Sequence, residues 1–309
     1  MGAGRLTVGI DVGGTSSEAV LVDGAGTGLA AATGPGANLL TVGAARAVRT
    51  LLDTADAAAG HERSRVGAVG VGLAGLPPAR HAEVEASLAA AFADRGYRGL
   101  VVLRSDAEVA FRAGTDAAEG VVLIAGTGAI AVRIAHGRAS RSVDGHGAAL
   151  GDEGSGHWIG RQALRRSLRS LDGRDPPTAL VDAVCVRLGI DAVDPHAARW
   201  ALIERAGPFT VAEVAGLAPI VLAAADAGDA LAGGIVADAV AHLVEAVAAL
   251  HAPSTQPVVL AGGLLAAATA VARGVSDALA AAGASRPLVA ANPAVGAALV
   301  AASGEGGRV

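Results

Sequence analysis

Hydrophobic positions come in short runs broken by glycine, and the first run sets the pattern. Leu6 to Ile10 is apolar, Asp11 follows, and Gly13-Gly14-Thr15 leads into a second apolar stretch, Ala19 to Val22, that runs back. This predicts a β-hairpin with a polar tip. Leu29 to Ala32 predicts a third strand, and Gly34-Pro35-Gly36-Ala37-Asn38 a loop. Val42 to Ala59 carries a 3.6-residue apolar period and predicts a helix; Asn38 either caps it or presents its amide to a polar ligand. Arg65 to Leu73 predicts a buried strand closing on Gly72-Leu73-Ala74-Gly75, Pro77 and Pro78 open a connection, and His81 to Arg95 a helix. Leu100 to Leu103 predicts a strand leading straight to Ser105-Asp106-Ala107-Glu108 and a helix through Ala113. Three meandering strands followed by alternation predict a mixed sheet with helices on its faces.

The second half restarts the theme. Gly120 to Ala125 predicts a strand, Gly126-Thr127-Gly128 a turn, and Ala129 to Ala135 a returning strand. The repetition predicts a duplicated βββαβαβα unit, α/β in class, with two lobes about an interdomain cleft and a hinge over Gly114 to Gly120. Helices are predicted over Arg161 to Ser170, Pro177 to Leu188, Pro195 to Ala206, from near Thr210, and over Ala230 to Leu250. Pro257 to Leu260 predicts a strand entering Gly262-Gly263, Leu288 to Ala290 a last strand, and Pro293 to Ala302 a final helix. The domains expected are 1–116, joined by the C-terminal helix 293–309, and a larger lobe over 117–292.

Composition narrows the classes of function. With 309 residues, 52% of them hydrophobic, the chain can bury two cores. Its net charge of −5 and scattered Lys and Arg give no basic field, so no nucleic-acid partner is expected. Cys185 is the single cysteine, which excludes a disulfide framework and leaves no pair for a zinc site or iron–sulfur cluster. The apolar runs, such as Ala215 to Ala225, are interrupted and fall short of about 20 residues, and no basic stretch leads into an apolar segment at the start. A cytoplasmic protein without a membrane partner is expected. Trp158 and Trp200 are expected in the core.

Candidate chemistry concentrates at the strand ends. Gly13 and Gly14 leave backbone N–H groups uncovered and Thr15 adds a hydroxyl, which suits a phosphate chain. Asp11, at the strand end, can hold a metal through water. The densest polar cluster is Asp144-Gly145-His146-Gly147 with Gly151-Asp152-Glu153-Gly154-Ser155-Gly156 and then His157-Trp158. Glycines around adjacent carboxylates make a loop that brings backbone close to a ligand. Neither a P-loop nor a G-x-G-x-x-G opening a helix after the first strand is present.

GIDVGGT (9–15), SDA at Asp106, IAGTGAI (124–130), ALGDEGSGHWIGRQAL (149–164) and LAGGLL (260–265) together resemble the ASKHA superfamily of sugar kinases and actin-like ATPases. The nearest likeness is to the branch holding N-acetylglucosamine kinase, glucosamine kinase and the BadF/BcrA-type ATPases. The resemblance implies two actin-like, ribonuclease H-like lobes and ATP with Mg²⁺ as cofactors. It implies that Gly13, Gly14 and Thr15 form the first phosphate loop, Gly126, Thr127 and Gly128 the second, and Gly262 and Gly263 the adenosine-side turn. Asp11 would organise Mg²⁺ through water and Asp106 would be the general base. Asn38, Gly145, His146, Gly147, Asp152, Glu153 and His157 would contact the sugar. The reaction implied is transfer of the γ-phosphate of MgATP to O6 of a hexosamine, by a homodimer.

Two departures bear on the substrate. No bulky aromatic stands in Gly145 to Leu150, which argues against acetyl recognition, and Glu108, Asp152, Glu153, His146 and His157 would suit the ammonium of unacetylated glucosamine. N-acetylglucosamine stays almost level. ROK-type kinases carry a zinc-binding cysteine cluster that Cys185 alone cannot build. Activator ATPases of acyl-CoA reductases need cluster-ligating cysteines, which argues against that alternative too. A non-catalytic sugar sensor is the remaining one.

Overall fold

The computed structural model describes residues 6–37, 43–76 and 78–304. The first sheet is built from β1 (Leu6–Val12), β2 (Ser16–Val22), β3 (Gly28–Pro35), β4 (Val66–Leu73) and β5 (Leu100–Ser105), in the order β3-β2-β1-β4-β5. β1 pairs antiparallel with β2 and parallel with β4. The second sheet takes β6 (Gly120–Ala125), β7 (Ala129–Ala135), β8 (Arg138–Asp144), β9 (Val258–Ala261) and β10 (Leu288–Val289). Read from its other edge its order is β8-β7-β6-β9-β10, the same topology as the first. The duplication is therefore present in the connectivity itself.

Two compact units divide the chain, Met1–Val122 with Ile134–Ser140 and Ala290–Val309, and Leu123–Arg133 with Arg141–Val289. In the first, alternate residues of β1 serve two layers. Val8, Ile10 and Val12 are fully buried with Leu51 of α1 (Ala44–Ala59) and with Leu88 and Phe92 of α2 (His81–Asp94). Truncating such a side chain, Leu51→Ala for instance, costs about 2–5 kcal/mol. The opposite face meets α3 (Asp106–Gly114) and α12 (Pro293–Ala302). There Gly9 and Gly70 leave room for the α12 backbone; a methyl on either would strike the carbonyl of Ala294 or Ala297. Asp11 and Gly72 lie two residues along from them on that face.

The second unit inserts a helical block between β8 and β9: α4 (Gly156–Leu171), α5 (Ala179–Leu188), α6 (Pro195–Ala206), α7 (Val211–Ala215), α8 (Ala218–Asp226) and α9 (Ala230–Ala248). α10 (Gly263–Ala266) and α11 (Ala270–Ala281) follow β9. α9 is long and apolar enough by length and composition to cross a membrane. It carries Asp238, His242 and Glu245 and packs against α8, α11 and α4, so it is read as a core helix.

Several sequence expectations shift. β8, α8 and α11 were not anticipated; β8 reads Arg-Ala-Ser-Arg-Ser-Val-Asp and lies at a sheet edge, exposed along most of its length, so it shows no apolar period. α4 begins at Gly156 because Ser155 caps it, accepting the Trp158 N–H (3.1 Å). α1 begins at Ala44 with Gly43 at its N-cap, and Asn38 lies outside the described residues. Trp158 is buried, whereas Trp200 is 52% exposed, with the Arg199 guanidinium over its ring.

Candidate active site

In the first unit, register places Glu18, Asp11, Gly72 and Arg104 on one line across β2, β1, β4 and β5. Asp11 is therefore flanked by a like charge, Glu18, and by a glycine whose missing side chain leaves it space. A methyl on Gly72 would lie 3.3 Å from Asp11 Oδ1. Burial, followed by the negative charges of Asp106 and Glu18, pushes the Asp11 carboxyl up to about 7. The Asn292 side chain, which N-caps α12 by accepting the Ala294 N–H (2.8 Å), also donates to Glu18 Oε1 (2.6 Å).

The tip beyond Asp11 is closed by the Gly13 N–H donating to the Ser16 carbonyl (3.0 Å), and Gly14 and Thr15 remain exposed. Gly36 packs onto this tip so closely that a methyl there would strike the Gly14 carbonyl. Asp106 opens α3, where backbone N–H groups and the positive end of the helix dipole favour a carboxylate. Its Oδ1 accepts the Ala107 N–H (2.9 Å). Burial nevertheless raises the Asp106 carboxyl above the ordinary 3.8, and the Glu108 charge adds to that.

Glu108 itself does not sit in solvent at the helix start. It is 7% exposed and forms a capping box with Ser105. That removes it from the acidic neighbourhood expected around a sugar amine.

In the second unit the glycine turns converge. A methyl on Gly262, whose φ is +83°, would strike the Ala125 carbonyl, and one on Gly126 would lie 3.8 Å from the Gly263 nitrogen. The Gly126 and Thr127 carbonyls accept the Gly156 (2.8 Å) and His157 (3.1 Å) N–H groups, donors that the first turn of a helix leaves without intrahelical partners. Asp152 stands against the same turn: a methyl on Gly128 would lie 2.7 Å from Asp152 Oδ2. Burial, its largest influence, raises its pKa, against which the nearby backbone N–H groups of Ala129 and Gly147 act.

Asp144 organises the polar loop, at a left-handed φ of +61°. Its carboxylate accepts the N–H groups of Asp152 (2.8 Å) and Glu153 (2.7 Å), and His146 Nδ1 lies 3.6 Å from it. Glu153 is exposed and turns toward His242 Nδ1 (3.4 Å), whose ring meets Trp158 edge-on. His157 is half-buried near Asp152, its pKa lowered first by burial and then by Arg161. Sequence reasoning missed Glu18 and the anchoring role of Asp144, and it named Glu108 as part of an acidic neighbourhood rather than as a partner of β8.

The sequence pattern of the BadF/BadG/BcrA/BcrD ATPase family matches residues 8–301. The chain belongs to that family. It is 35% identical over 176 residues to the N-acetylmuramic acid/N-acetylglucosamine kinase of Clostridium acetobutylicum, an alignment spanning 55% of this chain and 56% of that protein. Among solved structures it superposes on a candidate N-acetylglucosamine kinase from Chromobacterium violaceum with a TM-score of 0.76, at 28% identity, over 96% of this chain and 98% of that one. A ROK family glucokinase from Streptomyces griseus, in complex with glucose and AMPPNP, shares the fold at 19% identity and a TM-score of 0.58, over 96% and 99% of the two chains. The ATPase-family fold thus carries actin-like sugar kinases among its neighbours.

Proposed function

We propose that the chain is an ATP-dependent amino-sugar kinase that transfers the γ-phosphate of ATP to O6 of N-acetylglucosamine, with glucosamine as the alternative acceptor. The observation that carries the reading is Asp152, a carboxylate whose Oδ2 stands 2.7 Å from where a methyl on Gly128 of a phosphate-type turn would lie, on backbone held by Asp144. It offers a hydroxyl acceptor beside a place suited to phosphate. N-acetylglucosamine is preferred because two carboxylates that favoured an ammonium are committed elsewhere, Glu108 to its capping box and Glu153 to His242. The names of the Clostridium and Chromobacterium relatives support the same acceptor.

Asp106 takes the O6 proton as O6 attacks the γ-phosphorus, the bond from phosphorus to the β,γ-bridging oxygen breaks, and ADP leaves with that electron pair. Gly14, Thr15, Thr127 and Gly128 bind the phosphates through backbone N–H groups, while Gly13 and Gly126, whose N–H groups close the turns on the Ser16 and Gly128 carbonyls, shape them; Gly262 and Gly263 lie on the adenosine side, and Asp152, with Asn38, Gly145 to Gly147 and His157, orients the sugar. Asp11, crowded by Asp106 and Glu18, fits a divalent cation held through water. Bound there, Mg²⁺ would neutralise charge on the phosphate chain.

The test is ADP formation from MgATP by the purified chain with N-acetylglucosamine, glucosamine or no sugar, the product located by NMR. Phosphate on O6 of N-acetylglucosamine, with weaker turnover on glucosamine, is expected. ATP consumption that neither amino sugar stimulates would sink the reading and favour a sugar sensor. A homodimer remains part of the proposal, read by light scattering.

A further inference from the structure

A buried carboxylate is expensive, and a helix cap needs only one of its oxygens. Glu108 uses both. Oε2 accepts the Ser105 N–H (3.0 Å) while the Glu108 N–H donates to Ser105 Oγ (3.2 Å), closing the box around the backbone of Asp106. Oε1 leaves the helix altogether, accepts the Ala139 N–H (2.9 Å) of β8 and forms an ion pair with the Arg138 guanidinium, whose Nε lies 3.2 Å away. A neutral glutamine would cap α3, so the second oxygen is surplus to capping.

The strand it grips is the one that ends at Asp144. From Ala139 to Asp144 is five residues, roughly 17 Å of extended chain. One end of β8 is thus bonded to the helix turn that carries Asp106, and the other supplies the carboxylate that accepts the Asp152 and Glu153 N–H groups.

We propose that Glu108 is a positioning residue for phosphoryl transfer: it ties the backbone of Asp106 to β8, so that the strand fixes the placement of the base. This rests on the kinase reading above. Phosphoryl transfer depends on placement to within about 1 Å, and loss of a supporting hydrogen bond of this kind commonly costs about 10–100-fold in rate.

The test compares Glu108→Ala, Glu108→Gln and Ser105→Ala with the full chain. Wild-type turnover is measured first, because a chain without sugar-stimulated turnover defeats the kinase reading and not the link itself. With turnover present, Glu108→Ala is expected to lower kcat by about 10–100-fold with the KM for ATP held within about twofold. Glu108→Gln, which keeps one acceptor oxygen, recovers part of the loss, and Ser105→Ala, which opens the box but leaves β8 joined, loses less than Glu108→Ala. Hydrogen exchange of the Ala139 amide reads the link without activity: protected in the wild type, faster in Glu108→Ala. Wild-type kcat in a folded Glu108→Ala, unchanged exchange at Ala139, or a Ser105→Ala loss as large as that of Glu108→Ala would each overturn the proposal. Should Glu108→Ala fail to fold, Glu108→Gln with unchanged kcat and unchanged exchange does the same.

Discussion

Asp144 accepts the backbone N–H of Asp152 at 2.8 Å, and its other oxygen takes the N–H of Glu153 at 2.7 Å. A single carboxylate therefore sets the backbone from which Asp152 projects. Both Asp144 (φ +61°) and Asp152 (φ +56°) are left-handed, a conformation that aspartate and asparagine tolerate better than most residues. Asp144→Ala strands two amide donors, and each charge-assisted hydrogen bond lost is worth about 1.5–3 kcal/mol. A rise of about 10–100-fold in the sugar KM is expected, with little change for ATP. Asp144→Asn keeps one acceptor oxygen and the backbone preference, so it should stay within about tenfold. Calorimetric sugar binding checks both, and wild-type affinity in Asp144→Ala would remove the anchor.

Gly128 lies against Asp152, which joins the turn proposed to hold phosphate to the residue proposed to hold the sugar. Its φ is not left-handed, so alanine fits the backbone, yet the added methyl would lie 2.7 Å from Asp152 Oδ2. Asp152 must shift to admit it, against the hydrogen bond by which Asp144 holds its backbone. Gly128→Ala should therefore raise the sugar KM by roughly tenfold or more, the cost of about one such hydrogen bond, and more than it raises the KM for ATP. Substrate titrations that show only an ATP defect would contradict this.

Much of this arrangement could be read from the sequence, and the part that could not has a physical cause. β6 announces itself through Val121, Val122, Leu123 and Ile124, because a strand covered on both faces is continuously apolar. β8 does not, since an exposed edge strand needs no apolar residues. The glycine turns and the GDEGSG block were legible because they are local: their chemistry lies in the backbone of consecutive residues. Glu18 and Asp144 act on groups 274 and 8 residues away, and Glu108, whose local spacing marks only its box with Ser105, also acts on a group 31 residues away, so no local spacing marks these longer contacts. Trp200 was misplaced because composition alone does not say that an arginine will cover its ring at the surface.

Asn292 joins two structures at once, the cap of α12 and Glu18 beside Asp11. Asn292→Ala loses the cap and leaves Glu18 without that donor, a cost of about 1–3 kcal/mol. At roughly 2–4 °C per kcal/mol for a chain of this size, the melting temperature should fall by several degrees. Asn292→Asp retains the cap but sets a like charge against Glu18, and should fall further at pH 8 than at pH 5. Scanning calorimetry at the two pH values checks the order.

Asp106 carries opposed demands. As the proposed base it must be ionised, yet burial raises its pKa above the ordinary 3.8. The folded chain therefore binds that proton more tightly than the unfolded chain does. The stabilising contribution is complete below pH 3.8, and it is lost as pH rises through the raised folded value. At neutral pH the ionised group is a net cost to the fold. Turnover has the opposite dependence: kcat/KM should decline as pH falls while still above the usual carboxylate range, because protonated Asp106 cannot accept the O6 proton. Asp106→Asn removes the titration and keeps an oxygen for the Ala107 N–H. The variant should melt higher than the wild type at pH 7 and lose less stability between pH 4 and 7. It should bind sugar within about tenfold of wild type and transfer no phosphate detectably, a loss of at least about 10²–10⁴-fold. Retained turnover would remove Asp106 as the base, whereas an unchanged or lowered melting temperature would show that its ionised form is not strained in the folded chain.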